Sequence, residues 1–132
     1  MLKKEEVQLR QVTHPMIDGF TSEFLEVYAG PDGAGSAPHY YEVRAAVEGD
    51  PVVLLQLFLQ EGNPQDQAIG LNGIGNQTLV LIALDFLKKA NAGEFACRET
   101  SVVITKLEEA MQWTKQREMD RRARGVQFQH KK

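Results

Sequence analysis

Gly70-Leu71-Asn72-Gly73-Ile74-Gly75-Asn76-Gln77-Thr78-Leu79-Val80-Leu81-Ile82-Ala83-Leu84 is where the chain changes its hydrophobic period. Upstream, apolar and polar residues alternate, the spacing of strands. Downstream, Leu79, Ile82, Ala83, Phe86 and Leu87 recur at helical spacing. Gly70, Gly73 and Gly75 separate the two regimes. This switch predicts an α+β chain in one domain: an antiparallel sheet of four to five strands within 7–71, an antiparallel helical hairpin with a long last helix over 76–125, and a basic tail at 126–132.

Upstream of the switch, residues 7–14 alternate until Pro15 closes the run, and Phe24-Leu25-Glu26-Val27-Tyr28 alternates again. The segment 30–38 holds three glycines and two prolines, which makes it a loop. His39–Val47 reads as a third strand. Val52–Gln60, apolar on both sides, reads as the central strand of the sheet. Ala68-Ile69-Gly70-Leu71 is a candidate short fifth strand. The connections are short enough for hairpins, so the pairing should be antiparallel.

Downstream, Asn76 is the expected N-cap of the first helix. Lys88 and Lys89 suit its C-terminal dipole, and Gly93 is placed to take a positive φ at its end. The second helix runs from about Ala96 to Arg124 and stops at Gly125. Its expected inner face is Val103, Leu107, Ala110, Met111 and Thr114, with Ile104 and Trp113 beside it and Glu108, Gln112, Lys115 and Glu118 toward water. The first helix is about half as long, so the arginine-rich end of the second projects past it. A bare projecting helix end calls for a neighbour, most simply another copy of the chain.

The net charge is −3, with 42% hydrophobic and 25% charged residues, ordinary values for a globular chain. From Lys115 to Lys132 seven Lys/Arg stand against two acids, a local +5, which leaves −8 on the remainder. A basic end on an acidic body answers either a helix dipole or a localised anion. The acidic body argues against a nucleic-acid polymer as partner. The longest apolar run, Leu79–Leu84, is far too short to span a bilayer, so no membrane partner is expected. One cysteine, Cys97, permits no internal disulfide.

Chemistry-bearing sets are few. Gly70, Gly73 and Gly75 lack phosphate-loop spacing and read as a tight strand-to-helix turn, although a helix N-terminus can hold an anion. Arg117, Arg121 and Arg124 fall at i, i+4 and i+7 and share a helix face. Arginine suits phosphate because its planar fork meets two oxygens at once. Glu118 and Asp120 are near enough to pair some of these arginines. His14, His39 and His130 are scattered, and no metal-ligand spacing occurs. No metal, cofactor or catalytic residue is therefore expected. Cys97 reads as a small buried thiol, its helix-start position notwithstanding. Trp113 reads as core or interface, with a ligand stack left open.

The motifs also match in order. Gly70, Asn72, Gly73 and Asn76 open the first helix; Gly93, Phe95 and Cys97 open the second; Leu107–Trp113 reads Leu-Glu-Glu-Ala-Met-x-Trp; Arg117, Arg121 and Arg124 precede Gly125-Val126. Over about residues 68–126 this resembles the helical-hairpin domain of phage nucleotide sponges that counter Thoeris and CBASS immunity, in the branch with a β-rich first half. The resemblance implies a non-catalytic trap for a cyclic nucleotide signal, a cyclic ADP-ribose isomer or a cyclic oligonucleotide, acting in the cytoplasm of the infected host. It implies homodimers, often hexamers, with ligand held where protomers meet. It carries over Arg117 and Arg121 as pyrophosphate ligands, with Arg124 as a third. Where an aromatic and an Asn are usual, this chain has Ala90 and Thr100; Glu118 and Phe128 depart as well. Phe95 or Phe128 is left to supply a ring. An enzyme that degrades the same signal and a purely structural homo-oligomer are the competing readings.

Overall fold

In a computed structural model, which describes residues 8–16 and 23–126, the first half forms a four-stranded antiparallel meander. Its strands are β1 (Arg10–Val12), β2 (Leu25–Ala29), β3 (Tyr40–Ala45) and β4 (Val52–Phe58), in the order β1-β2-β3-β4. The β-branched and aromatic residues of Leu-Glu-Val-Tyr-Ala, Tyr-Tyr-Glu-Val-Arg-Ala and Val-Val-Leu-Leu-Gln-Leu-Phe suit a pleated surface. The strand expected over 7–14 is reduced to three residues, and its start at Val7 lies outside the described residues.

Two expectations about the sheet are corrected. Val52–Gln60 was expected at the centre, but β4 stands last in the order. A meander returns each strand beside the preceding one, so the last strand lies at the edge. The apolarity that suggested a central position is exposed: Leu54 56%, Leu55 49% and Phe58 40%. The short fifth strand at Ala68–Leu71 is absent. Asp66 takes those amides instead: its carbonyl accepts from Ile69 and Gly70 at 3.0 and 2.8 Å, and its carboxylate from Ala68 at 2.9 Å. Ile74 supplies the edge contact as a single parallel bridge to Leu59.

A clasp ties the loop between β4 and the first helix. Gln60 Oε1 accepts from the amides of Asn72 and Gly73 at 2.9 and 3.3 Å, and Gln60 Nε2 donates to the Gly70 carbonyl at 3.0 Å. Asn72 answers by accepting from Glu61 N–H at 2.9 Å and donating to Glu61 C=O at 2.8 Å. Gly73 lies flat on β4. A Cβ there would sit 2.5 Å from the Leu59 carbonyl carbon and the Phe58 oxygen, a separation only glycine avoids. Gly70 has φ +67°. Gly70, Asn72 and Gly73 thus close a loop, which favours the strand-to-helix turn over a phosphate loop.

One sheet face carries a polar network. Tyr28, Glu42 and Gln56 are cross-strand partners on β2, β3 and β4. Glu42 is 2% exposed and accepts from Tyr40 Oη at 2.7 Å and from Arg44 Nε. Gln56 donates to Tyr40 Oη at 3.1 Å, and the Arg44 guanidinium lies 4.4 Å from the Tyr28 ring centroid. Burial opposes the charge on Glu42, but the hydrogen bonds from Tyr40 and Arg44 and the arginine's charge outweigh it and hold the carboxyl below its ordinary value. Burial, with the hydrogen bond to Glu42, pushes the Tyr40 hydroxyl up.

The second half, from Gly75 on, clusters as a separate unit from residues 1–74. It contains α1 (Asn76–Asn91) and α2 (Arg98–Ala123). The helices run antiparallel: Gln77 Nε2 donates to Glu118 at 2.9 Å, Lys88 pairs with Glu108 at 3.2 Å, and Asn91 donates to Ser101 Oγ at 3.0 Å. α1 buries Gln77, Val80, Leu84, Leu87 and Asn91; α2 answers with Thr100, Ile104, Leu107, Met111, Thr114, Glu118 and Arg121, wholly or half covered at alternating spacings of four and three.

That stripe differs from the expected one. Ile104 belongs to it, Val103 is 44% exposed, Ala110 is exposed, and Glu118 turns inward toward Gln77. On α1, Leu79, Ile82 and Phe86 lie on the outer face, 37%, 60% and 70% exposed. Apolar residues occupy two faces of each helix, and the antiparallel pairing selects one of them. The capping also differs. Gly75 holds the N-cap position and Asn76 is already helical; no side chain caps the first amides. Gly93 has no positive φ, because Ala92 ends α1 in a right-handed conformation. Gly125 does stop α2 as expected, with φ +69°, while Gly125 N–H and Val126 N–H reach back to Arg122 and Arg121 carbonyls at 3.1 and 3.0 Å.

Candidate ligand-binding face of the hairpin

The three arginines have different surroundings. Arg117 is exposed and makes no ion pair among the described residues. The acids that stood as its rivals are engaged elsewhere: Glu118 accepts from Gln77, and Asp120 accepts from Gln116 at 3.1 Å. Arg121 lies on the inner stripe, 7% exposed, and its Nη2 donates to the Val126 carbonyl at 2.9 Å. It therefore fastens the end of its own helix. Arg124 is exposed at the C-cap. The 100° step per residue lets i, i+4 and i+7 share a broad face; the register of the hairpin decides that Arg121 is the one turned inward.

Ala90, Phe95 and Thr100 gather at the other end. Ala90 is exposed, Phe95 is 81% exposed, and Thr100 is half-buried. This turn is knitted by Asn91, whose Oδ1 accepts from Cys97 N–H at 3.0 Å while its amide reaches Ser101. Cys97 is the N-cap residue of α2 and exposed, not buried as expected, because the turn holds it outside the helix stripe. Its Sγ lies 3.1 Å from Thr100 Oγ1, and that hydrogen bond lowers the thiol pKa. From Thr100 to Arg117, at about 1.5 Å per residue, the separation along α2 is roughly 25 Å. Within one chain the turn residues and the arginines do not meet.

Some residues the sequence reading passed over matter here. Gln77 and Asn91 set the hairpin's two ends, a role only their position opposite α2 reveals. Trp113, weighed as core or interface, is 75% exposed on the face that carries Arg117, so it is not core. Among the described residues, no three His, Cys, Asp or Glu side chains gather as metal ligands, and no helix is long and apolar enough to cross a membrane.

Comparison with known proteins finds two similarities. The model of the Acb2/Tad1 hairpin domain matches residues 58–117, from the end of β4 through Arg117. A protein of Bacillus phage SBSphiJ7 described as Thoeris anti-defense 1 is 41% identical over 118 residues, covering 74% of this chain and 82% of that protein.

Proposed function

This chain belongs to the Thoeris anti-defense 1 family and carries that family's hairpin; on that footing we propose that it is a sponge, a protein that captures a cyclic nucleotide immune signal of the infected host without cleaving it. The ligand class is a cyclic ADP-ribose isomer or a cyclic oligonucleotide, bound in the host cytoplasm at a site shared between protomers. Arg117 is the primary phosphate ligand. Arg121 and Arg124 back it with positive charge, and Ala90, Thr100 and Phe95 border the base.

The sponge reading is carried by the family match; the sharing of the site between protomers is supported by the division of the candidate residues between the two ends of one hairpin. A compact ring of the cyclic ADP-ribose class is too small to bridge roughly 25 Å. Two hairpins related by a two-fold axis bring the turn of one beside the arginines of the other, and every site then appears twice. The outer face of α1 supports the same assembly, since Leu79, Ile82 and Phe86 are apolar and exposed together. A homodimer is the smallest assembly that completes the site, and a hexamer repeats it.

A trap that outcompetes a receptor needs nanomolar affinity, about −12 kcal/mol. Hydrogen bonds to charged groups contribute about 1.5–3 kcal/mol each, so the arginines supply part of this and base contacts the rest. To test the reading, purified protein is mixed with candidate cyclic nucleotides, passed through a filter that retains protein, and then heat-denatured. Mass analysis should find the nucleotide withheld, then released intact. A converted product would replace the sponge with an enzyme; free passage of every candidate would end the proposal.

A further inference from the structure

Trp113 is 75% exposed on α2, one turn before Arg117. Side chains four apart on a helix are neighbours, about 5–6 Å between Cβ atoms. Arg124 follows at a further seven residues on the same face. Ala110, one turn before Trp113, contributes only a methyl group, and the indole is left largely exposed. Trp113 makes no ring contact among the described residues. An indole is a large apolar surface with a polar edge, and aromatic faces stack any base.

We propose that Trp113 and Arg117 form one nucleotide subsite, in which the indole stacks a purine and the guanidinium holds that nucleotide's phosphate. This rests on the sponge reading and assigns its base contact to a residue other than Ala90, which offers no ring. The juxtaposition fits a nucleotide in particular. An apolar partner alone would leave Arg117 uncompensated, and a phosphate alone would leave the indole in water. With Trp113 taking the base, Ala90 and Thr100 need not stack anything. Their departures from the motif then alter the border of the site and leave its main contacts in place.

Trp113 is the chain's single tryptophan, so its fluorescence reports on this position alone. Titration of the full-length protein with cyclic ADP-ribose and with cyclic di-AMP should quench that fluorescence in step with binding measured by calorimetry. Trp113→Phe should keep most of the affinity. Trp113→Leu, which preserves apolar bulk but no π face, should lose about tenfold to a hundredfold, with the oligomer by light scattering unchanged. Binding without quenching, equal affinity in the Leu variant, or loss of the oligomer in that variant would each overturn the stack and leave the sponge reading standing. If the wild-type protein binds neither probe, the titration runs through the same cyclic nucleotides as the filter assay, and free passage of all of them ends both.

Discussion

The sheet and the hairpin each contain an arginine beside aromatic and acidic residues, and they use it in opposite ways. On the sheet, Arg44 lies over Tyr28 and donates to buried Glu42, which Tyr40 also holds. Its charge is answered inside the fold. On the hairpin, Arg117 stands in the open beside an exposed indole, while the neighbouring acids bind glutamines. A closed set of partners stabilises a scaffold; an open one is available to a ligand. The two arginines are equally charged, so the difference lies in what the surrounding backbone places within reach.

The largest effect should come from opening the closed set. Glu42→Ala leaves Arg44 beside a buried gap and should cost about 3–5 kcal/mol, read from the shift in denaturant midpoint. The same group makes the sheet acid-sensitive. Its folded pKa is depressed, so its contribution is fully present above the ordinary carboxylate value and is lost as pH falls through the folded value. Thermal melts should show stability falling on the acid side, with a shallower fall in Glu42→Gln. Gly73→Ala, which drives a Cβ into the β4 backbone, should cost about 1–3 kcal/mol or more.

Arg117→Ala tests the open set. It should leave the folding stability within about 0.5 kcal/mol of wild type while weakening nucleotide binding by about 1.5–3 kcal/mol, measured by calorimetry. An equal loss of stability would show Arg117 to be a second closed charge and dissolve the contrast. Smallest of all should be Gly93→Ala, within about 0.5 kcal/mol, because that glycine uses no positive φ and the added Cβ meets only the Ala90 carbonyl at 3.8 Å. Gly125→Ala should cost more, about 1–2 kcal/mol, since its φ is +69°.

Local spacing carried most of the fold. Period-two runs marked the strands, the change of period marked α1, and Gly125 marked the end of α2. What spacing could not carry was choice among equivalents. β4 is apolar on both sides, a pattern that a buried central strand and an edge strand with exposed apolar residues share equally. Each helix is apolar on two faces, and only their mutual pairing decides that Ile104 turns in and Val103 out. The arginine triplet was legible as a cluster, but its division into Arg117 outside and Arg121 fastened to Val126 depends on that pairing too. The clasp joins Gln60 to residues twelve and thirteen positions on, beyond any periodic pattern.

That clasp insulates one part of the chain from another. Because Gln60 and Asn72 knot the loop at its neck, the residues of its tip can change without moving Gly73 off β4. The tip from Asn63 to Ile69 makes its own turns through Asn63 and Asp66. It is therefore a stretch in which related chains can diverge, and a place to graft a tag or label without opening the clasp.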